Sequence, residues 1–569
     1  MALAAAFWAL GRWSAAQPAD EQCLECHADP RITSLSAQER AAWLRLAEGE
    51  APAERSAKQA QKLLVQAEAL KGSAHGGMAC ADCHLGLEAL PHGLPVETAA
   101  CETCHPQPAK EIEAGPHRRG AVKGRPSPWC LTCHGAPHEI PPPGQPLNAQ
   151  QRLAAVERCS PCHRELAATY RASFHGKAAW LGHGSAAVCS DCHGGHDILP
   201  NSDPRSRIAA GSLQTTCGQC HGNVNANFVK FVVHADWRDR QSNPPIFYTW
   251  LGMNILLLSV LGVFIPHSLL WLQRSLLALL FGRRRGRAAP PGAERMIQRF
   301  RPVHRLTHAL IVVSFMGLAA TGFPLKYCAA PWAQGLASAL GGLRTIRLLH
   351  RSFAVMTLVY AAIHLGFLAR WFAQRRRAPR KALGSDPDSL AISWRDLRDF
   401  GAMLRWFFWL GPRPRFERWT YWEKFDYWGE IGGLVLIGGS GLMLWAPMLF
   451  TRWLPGWVLN CAFVVHSIEA LLAASVIFLV HFFNTHLRPE KFPVDLAMLT
   501  GQIRESQMRE ERADEYRRLA ESGELEGLAR APAPRLWRFL GALAGIAAFL
   551  FGMALILLAL KTELGQWLR

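Results

Sequence analysis

The chain has 569 residues, half of them hydrophobic, and a formal net charge of +18. The length allows several domains, and the uneven placing of the apolar residues excludes one uniform soluble globule: residues 17–244 are polar and rich in Cys, His, Pro and Gly, whereas 246–562 carry long apolar runs. The basic excess invites a nucleic-acid reading, which is rejected: part of it offsets acidic cofactor groups argued for below, and much of the rest lies in loops beside apolar segments.

In chain order, "MALAAAFWALGRWSAAQPAD" opens with a short apolar stretch followed by Ser14, Ala15 and Ala16, a small-residue cleavage pattern. Residues 1–16 read as a signal peptide. The stretch lacks a preceding Lys or Arg and is interrupted by Arg12, so an uncleaved anchor or a misplaced start are the alternatives.

Fourteen of the sixteen cysteines then fall in seven C-x-x-C-H strings. The pairs are Cys23 and Cys26, Cys80 and Cys83, Cys101 and Cys104, Cys130 and Cys133, Cys159 and Cys162, Cys189 and Cys192, and Cys217 and Cys220. The adjoining histidines are His27, His84, His105, His134, His163, His193 and His221. This spacing is the attachment signal for c-type haem: two thiols bond the two vinyl groups of a porphyrin, and the histidine lies under the iron. One such string could serve zinc or a disulfide framework. Seven, using every cysteine of the segment, favour haem. Covalent haem attachment occurs outside the cytoplasm, so 17–244 is expected to be a periplasmic heptahaem domain. Roughly thirty residues per haem leave little side-chain core, so the haems would supply most of the buried apolar surface.

The segment holds eight further histidines, and seven repeat in phase. His75, His92, His117, His138, His175, His196 and His234 each follow one C-x-x-C-H string or precede the next, and His183 is left over. Seven histidines for seven motifs read as sixth ligands. Each iron would then be six-coordinate, carrying electrons without binding substrate. His196 follows His193 by three residues, too few to carry the chain round a porphyrin to its other face, so it should serve a neighbouring haem; His138 after His134 repeats the device. The first repeat is longer because 28–74 hold a charged, Ala-rich, helical insert. Each ferric haem with two propionates contributes about one negative charge, which is the offset invoked above.

Six apolar segments are long enough to span a bilayer: approximately Ile246–Leu272, Thr307–Leu325, Thr345–Phe372, Trp428–Met448, Trp457–Phe483 and Leu536–Leu560. The expected fold is all-α: a loop-rich heptahaem domain with little regular structure, then a six-helix transmembrane bundle. Its parts are 17–244, a first span and loop (245–300), a core (301–495), a charged segment (496–534) and a last helix (535–569). Arg283, Arg284, Arg285 and Arg287 follow the first span; Arg375, Arg376, Arg377, Arg380 and Lys381 follow the third. The positive-inside rule puts these loops in the cytoplasm of a bacterial inner membrane and the haem c domain in the periplasm.

Ionisable residues inside spans need a reason. His350 and His364 are fourteen residues apart, nearly four turns and ~21 Å. His466 and His481 are fifteen apart, ~22 Å. His304 and His308 open the second span. Histidines at two matching depths on facing helices can hold two b-type haems; the bland reading is hydrogen-bonded core histidines.

The strings "RPVHRLTHALIVVSFMGLAATGFPL" (301–325), "WEKFDYWGEIGG" (422–433) and "HFFNTHLRPEKFP" (481–493) resemble the di-haem cytochrome b, or gamma, subunits of formate dehydrogenases and related quinone-linked complexes, over roughly 298–495. The resemblance implies His308 with His481 for one haem and His350 with His466 for the other. His364, at the depth of His308, is the rival partner for His481. His304 and His267 read as interfacial, as does His486, to which the resemblance could give a role at a quinone pocket. The string "SFHGKAAWLGHGSAAVCSDCHGGHDI" (173–198) resembles multihaem cytochromes c, and the whole resembles inner-membrane quinone oxidoreductases of respiratory and extracellular electron-transfer chains.

The function implied is a quinol dehydrogenase passing electrons through two b haems and seven covalent c haems to a periplasmic acceptor. The expected partners are membrane lipid, quinone and a periplasmic donor or acceptor protein such as another cytochrome; a homo-oligomer or larger complex stays open. Glu430 and Glu469 are candidates for quinol proton transfer, against roles as a helix-end charge and a support for His466. An electron-transfer subunit wired to a separate catalytic partner, with 487–534 as a docking segment, is the alternative; a terminal multihaem reductase is a third, disfavoured because no C-x-x-C-K occurs. Cys328 and Cys461 belong to no motif and read as free thiols.

Overall fold

The computed structural model describes residues 19–43, 63–87, 90, 92, 96–118, 130–142, 144, 148–281, 295–375, 384 and 386–567. The signal-peptide reading (1–16), much of the helical insert, and basic-loop residues other than Arg375 lie outside them. The chain is mostly helical, with a few two- or three-residue strands. It divides into two compact units: 1–167 with 187–220, and 168–186 with 221–569. The compact units therefore divide the chain elsewhere than at the composition change near residue 244. Ala178, Ala179 and Ala186 pack on Leu343, and Val232, Ala235 and Trp237 pack on a cluster containing Ile246 and Val464, so apolar burial draws two stretches of the polar segment into the second unit.

The first unit is built of short helices on the motifs, such as Cys80–Cys83, Cys101–Cys104, Cys130–His134 and Cys189–His193. The longest described, Ala149–Cys159, is capped by Asn148, whose side chain accepts from Gln151 N–H while Gln151 returns the bond. Among the described residues, none of the apolar clusters lies in this unit. Gly135 and Gly194, directly after His134 and His193, have φ of +81° and +87°. In the left-handed region, glycine turns the chain sharply away from the motif helix. A Cβ on Gly194 would stand 2.4 Å from Asp197 Oδ1.

The second unit contains six helices long and apolar enough to cross a membrane: α1 Pro244–Phe281, α2 Pro302–Lys326, α3 Gly342–Arg375, α5 Tyr421–Trp445, α6 Trp457–Leu487 and α7, which runs Arg535–Trp567. Each contains one of the segments expected from hydropathy or overlaps most of it. A shorter helix, α4 Trp394–Phe407, precedes α5 and is capped by Ser393 with Asp396. Thr420 and Glu423 cap α5 in the same reciprocal way. The helix α6 changes to π-type turns over Val476–His481 and Phe483–Leu487. A turn that takes an extra residue lets the fifteen residues from His466 to His481 make about four turns, which puts both on one side of α6.

The charged segment 496–534 is folded. Strand β1, Met296–Gln298, pairs antiparallel with β2, Gln502–Arg504, and with β3, Ala529–Arg530. Ile297, Ile503, Met508, Leu519 and Leu525 form a small core beneath. Glu515, 1 % exposed, is held between Arg299 and Arg418 at 3.4 and 3.3 Å. Arg512 bonds Glu423 at 2.8 Å. Burial alone would raise Glu511, but the charges of Lys491, Arg488, Arg512 and Arg413 outweigh it and hold the carboxyl at about 2.

Candidate functional site: paired histidines

The structure brings six of the seven motif histidines into ring contact with histidines from elsewhere in the chain. In the first unit His27 meets His92, His75 meets His105, His84 meets His138, His117 meets His163 and His134 meets His196, with ring centroids 6.0, 6.1, 6.2, 6.1 and 5.7 Å apart. In the second, His175 meets His221 at 6.0 Å. Every one of these pairs joins a C-x-x-C-H histidine to one outside the motifs. His196 faces His134, not its neighbour His193, and His138 faces His84, not His134. The left-handed glycines after both motifs direct these crossings.

The spacing has a physical meaning. Two metal–imidazole bonds of ~2 Å each, plus two half-rings, fill a centroid separation of about 6 Å. The Nε2 atoms of His134 and His196 point at each other 3.4 Å apart, a little short of the ~4 Å that one intervening metal would set. Among the described residues no group of three or more His, Cys, Asp or Glu converges as a self-sufficient metal site; the recurring unit is the imidazole pair. Such a pair suits an iron whose other four ligands come from a porphyrin.

The cysteines follow the same order. Cys80 lies within electrostatic reach of Cys23, Cys83 of Cys101 and Cys104, Cys130 of Cys101, Cys133 of Cys159 and Cys162, Cys189 of Cys159, and Cys192 of Cys217 and Cys220. Seven motifs thus form one unbroken succession. Burial lowers the pKa of His84, His117, His138 and His221, which favours the neutral, ligand-ready imidazole.

Between the spans, His350 on α3 and His466 on α6 have ring centroids 6.3 Å apart, the separation seen in the first unit. Gly322 and Gly441 flank them; a Cβ on Gly441 would stand 3.0 Å from His466 Cε1, and one on Gly322 3.4 Å from His350 Cε1. His308 on α2 is within electrostatic reach of His481 on α6.

Ring nitrogens separate the histidines into two sets. His27 donates from Nδ1 to Leu63 O at 2.7 Å, His75 to Pro137 O at 3.2 Å, and His466 to Ile437 O at 3.0 Å. The Nδ1 atoms of His234, His350 and His481 meet Thr169 Oγ1, Thr321 Oγ1 and Asp426 Oδ2 at 3.0, 2.9 and 3.3 Å. An anchored Nδ1 leaves Nε2 with its lone pair aimed at the partner ring, the arrangement a metal ligand needs. Other histidines engage Nε2 instead: His183 with Ser185 Oγ, His267 with Tyr421 Oη, His364 with Tyr427 Oη at 3.0 Å, and His486 with Gly545 O at 3.1 Å. His364 therefore uses the nitrogen that ligation of an iron beside His481 would require. His267 and His486 are 5 % and 7 % exposed. Both are enclosed by protein: His267 by Phe400, Phe407 and Tyr421, while His486 stacks on Phe482. His304 packs edge-on against Phe367.

The two acidic candidates differ. Glu430 accepts from Tyr360 Oη at 2.7 Å. Glu469 is 5 % exposed, and its Oε2 is buried with no hydrogen-bond partner. The pairings of Tyr360, Tyr427 and Asp426 with Glu430, His364 and His481 have no sequence signal of their own, because they depend on which faces of α3, α5 and α6 meet. Cys328 is buried and Cys461 half-buried. No family model, curated protein or solved structure matches the chain.

Proposed function

We propose that the protein is a multi-pass membrane oxidoreductase that takes electrons from a quinol and delivers them to an acceptor on the side of the polar segment, with seven c-type haems on its C-x-x-C-H motifs and two b-type haems between its spans. The observation that carries the reading is the recurring imidazole pair at about 6 Å, in register with motifs whose spacing fits porphyrin attachment. The basic loops support an inner-membrane placement with the polar segment in the periplasm. The likeness of 301–325, 422–433 and 481–493 to di-haem cytochrome b subunits supports the membrane half.

Haem, when bound, supplies reversible one-electron transfer at a six-coordinate iron. The chain's own work is different. Each motif offers two thiols for covalent attachment and one histidine beneath. The anchored Nδ1 atoms fix ring orientation and raise the basicity of Nε2. His350 with His466, and His308 with His481, would hold the two b haems. Glu430, bonded to Tyr360, is the group assigned to receive a quinol proton, because a carboxylate within a span can take one up without leaving the membrane.

The test is a haem count followed by a redox titration of the purified protein. Seven c-type to two b-type haems are expected, all low-spin, with reduction on adding a quinol. Absence of covalent haem, or indifference to every quinol and quinone tried, overturns the proposal.

A further inference from the structure

A second feature of the membrane unit owes nothing to the histidine pairs. Three arginines and three tryptophans from three separate chain segments alternate in a stack. The Arg488 guanidinium lies 4.1 Å over the Trp271 ring, and Arg413 approaches Trp271 and Trp406 at 5.5 and 5.8 Å. Arg274 lies 5.2 Å from Trp406 and 4.1 Å from Trp409. The order is therefore Arg488, Trp271, Arg413, Trp406, Arg274, Trp409.

This stack is rich in unused donors. Trp271 Nε1, Arg274 Nη1, Arg413 Nε, and Arg488 Nε and Nη2 are all buried without a hydrogen-bond partner. Trp271 is fully buried and Arg488 is 3 % exposed. Arg488 is ion-paired with Glu490 and Glu511 at 3.7 and 3.6 Å, and Glu490 Oε2 is itself buried without a hydrogen-bond partner, so the donors left over are those of Trp271, Arg274 and Arg413. Arg274 and Arg413 have no carboxylate within ion-pair distance among the described residues. A buried donor without an acceptor is costly, more so when charged, so the donors on Trp271, Arg274 and Arg413 call for an acceptor.

The open end of the stack shows where that acceptor comes from. Trp409 is 55 % exposed, next to exposed Phe408 and Leu410. The helix α4 just before it exposes Trp394 and Leu397 together with Arg398 and Arg405. A helix too short to span, with outward aromatic and aliphatic residues beside outward arginines, has the composition of one lying at a bilayer surface. Trp is favoured at headgroup depth. Guanidinium forks match phosphate oxygens in geometry and charge, and basic pockets between spans receive acidic headgroups.

We infer that the Arg–Trp stack is a binding site for the phosphate of an acidic phospholipid headgroup, entered beside Trp409 and held by Arg274 and Arg413, with Arg488 and Trp271 closing its inner end. The site is independent of the electron-transfer reading.

The test uses the full chain, stripped of lipid in detergent, then given phosphatidylglycerol, phosphatidylcholine or inorganic phosphate. Retained lipid is read by native mass spectrometry and stability by the thermal midpoint. Phosphatidylglycerol alone should be retained and raise the midpoint, and R274Q/R413Q should weaken retention by about tenfold or more, as expected for losing charged hydrogen bonds. Should the double variant fail to fold, R274Q alone, at the exposed end, is read in the same assay with the same expectation. Equal retention of phosphatidylcholine, protection by inorganic phosphate as strong as by lipid, or unchanged retention in the folded variant overturns the inference.

Discussion

The two compact units solve the same problem, ordering a chain, by opposite means. The membrane unit has apolar clusters built on fully buried side chains such as Phe478, Ile556 and Trp271. Among its described residues the first unit buries a handful of scattered apolar side chains, among them Ile32, Val156 and Val188. In their place it has histidine pairs and a succession of cysteines. Ordering a residue's backbone costs roughly 1–2 kcal/mol, and so few buried side chains do not offset that cost. On the function proposed above, the first unit would be ordered by the groups its motifs bind, whereas the second has apolar clusters of its own.

The sharpest way to break that comparison is to remove one motif's thiols. C189S/C192S takes away a motif in the middle of the succession, between Cys159 and Cys217. The expected result is loss of protease resistance over much of the first unit, with the six-helix unit still inserted. If limited proteolysis shows the first unit intact, its order comes from the polypeptide after all.

The second unit should respond to its own kind of damage. Glu515 is buried between Arg299 and Arg418. E515Q leaves two guanidiniums facing a neutral amide, and breaking a buried pair typically costs about 3–5 kcal/mol. A fall in the thermal midpoint with unchanged covalent haem is expected. A midpoint within error of the parent would mean that Arg299 finds sufficient compensation in Glu423, 3.3 Å away. A smaller effect is expected where the proposed chemistry meets this unit: E430Q should slow quinol oxidation about a hundredfold, a common loss for a general base, while haem content stays constant. Unchanged turnover would remove Glu430 from the proton path.

Sequence reading was strongest where the pattern is local. The C-x-x-C-H strings and the apolar runs are contiguous, and the short motif helices and six long helices lie where these stretches do. The crossing of His196 to another motif was legible too, because three residues reach only so far. Which histidine meets which was not legible: His92 with His27 and His75 with His105 depend on how loops close over tens of residues. The sheet of β1, β2 and β3 joins strands some two hundred residues apart and has no periodic signal at two or three residues each. The Arg–Trp stack escaped for the same reason, since its six side chains are neighbours only after α1, α4 and the ends of α6 have packed.

The smallest expected effect is the one that most sharpens the comparison. His308 and His364 sit at similar depth, and spacing alone left both as partners for His481. The folded chain sets His364 apart by nitrogen: it gives Nε2 to Tyr427, whereas His481, His350 and His466 are anchored at Nδ1. If that distinction marks ligands, H364Q should leave the b-haem count and spin state unchanged, and H308Q should remove one b haem. The readouts are pyridine haemochrome absorption and low-temperature EPR of both variants. Loss of a b haem in H364Q, with H308Q intact, would show that the Tyr427 contact gives way on cofactor binding. Ring-nitrogen anchoring would then cease to separate ligand from bystander in the membrane unit, and its use for His27, His75 and His234 in the polar segment would need independent support.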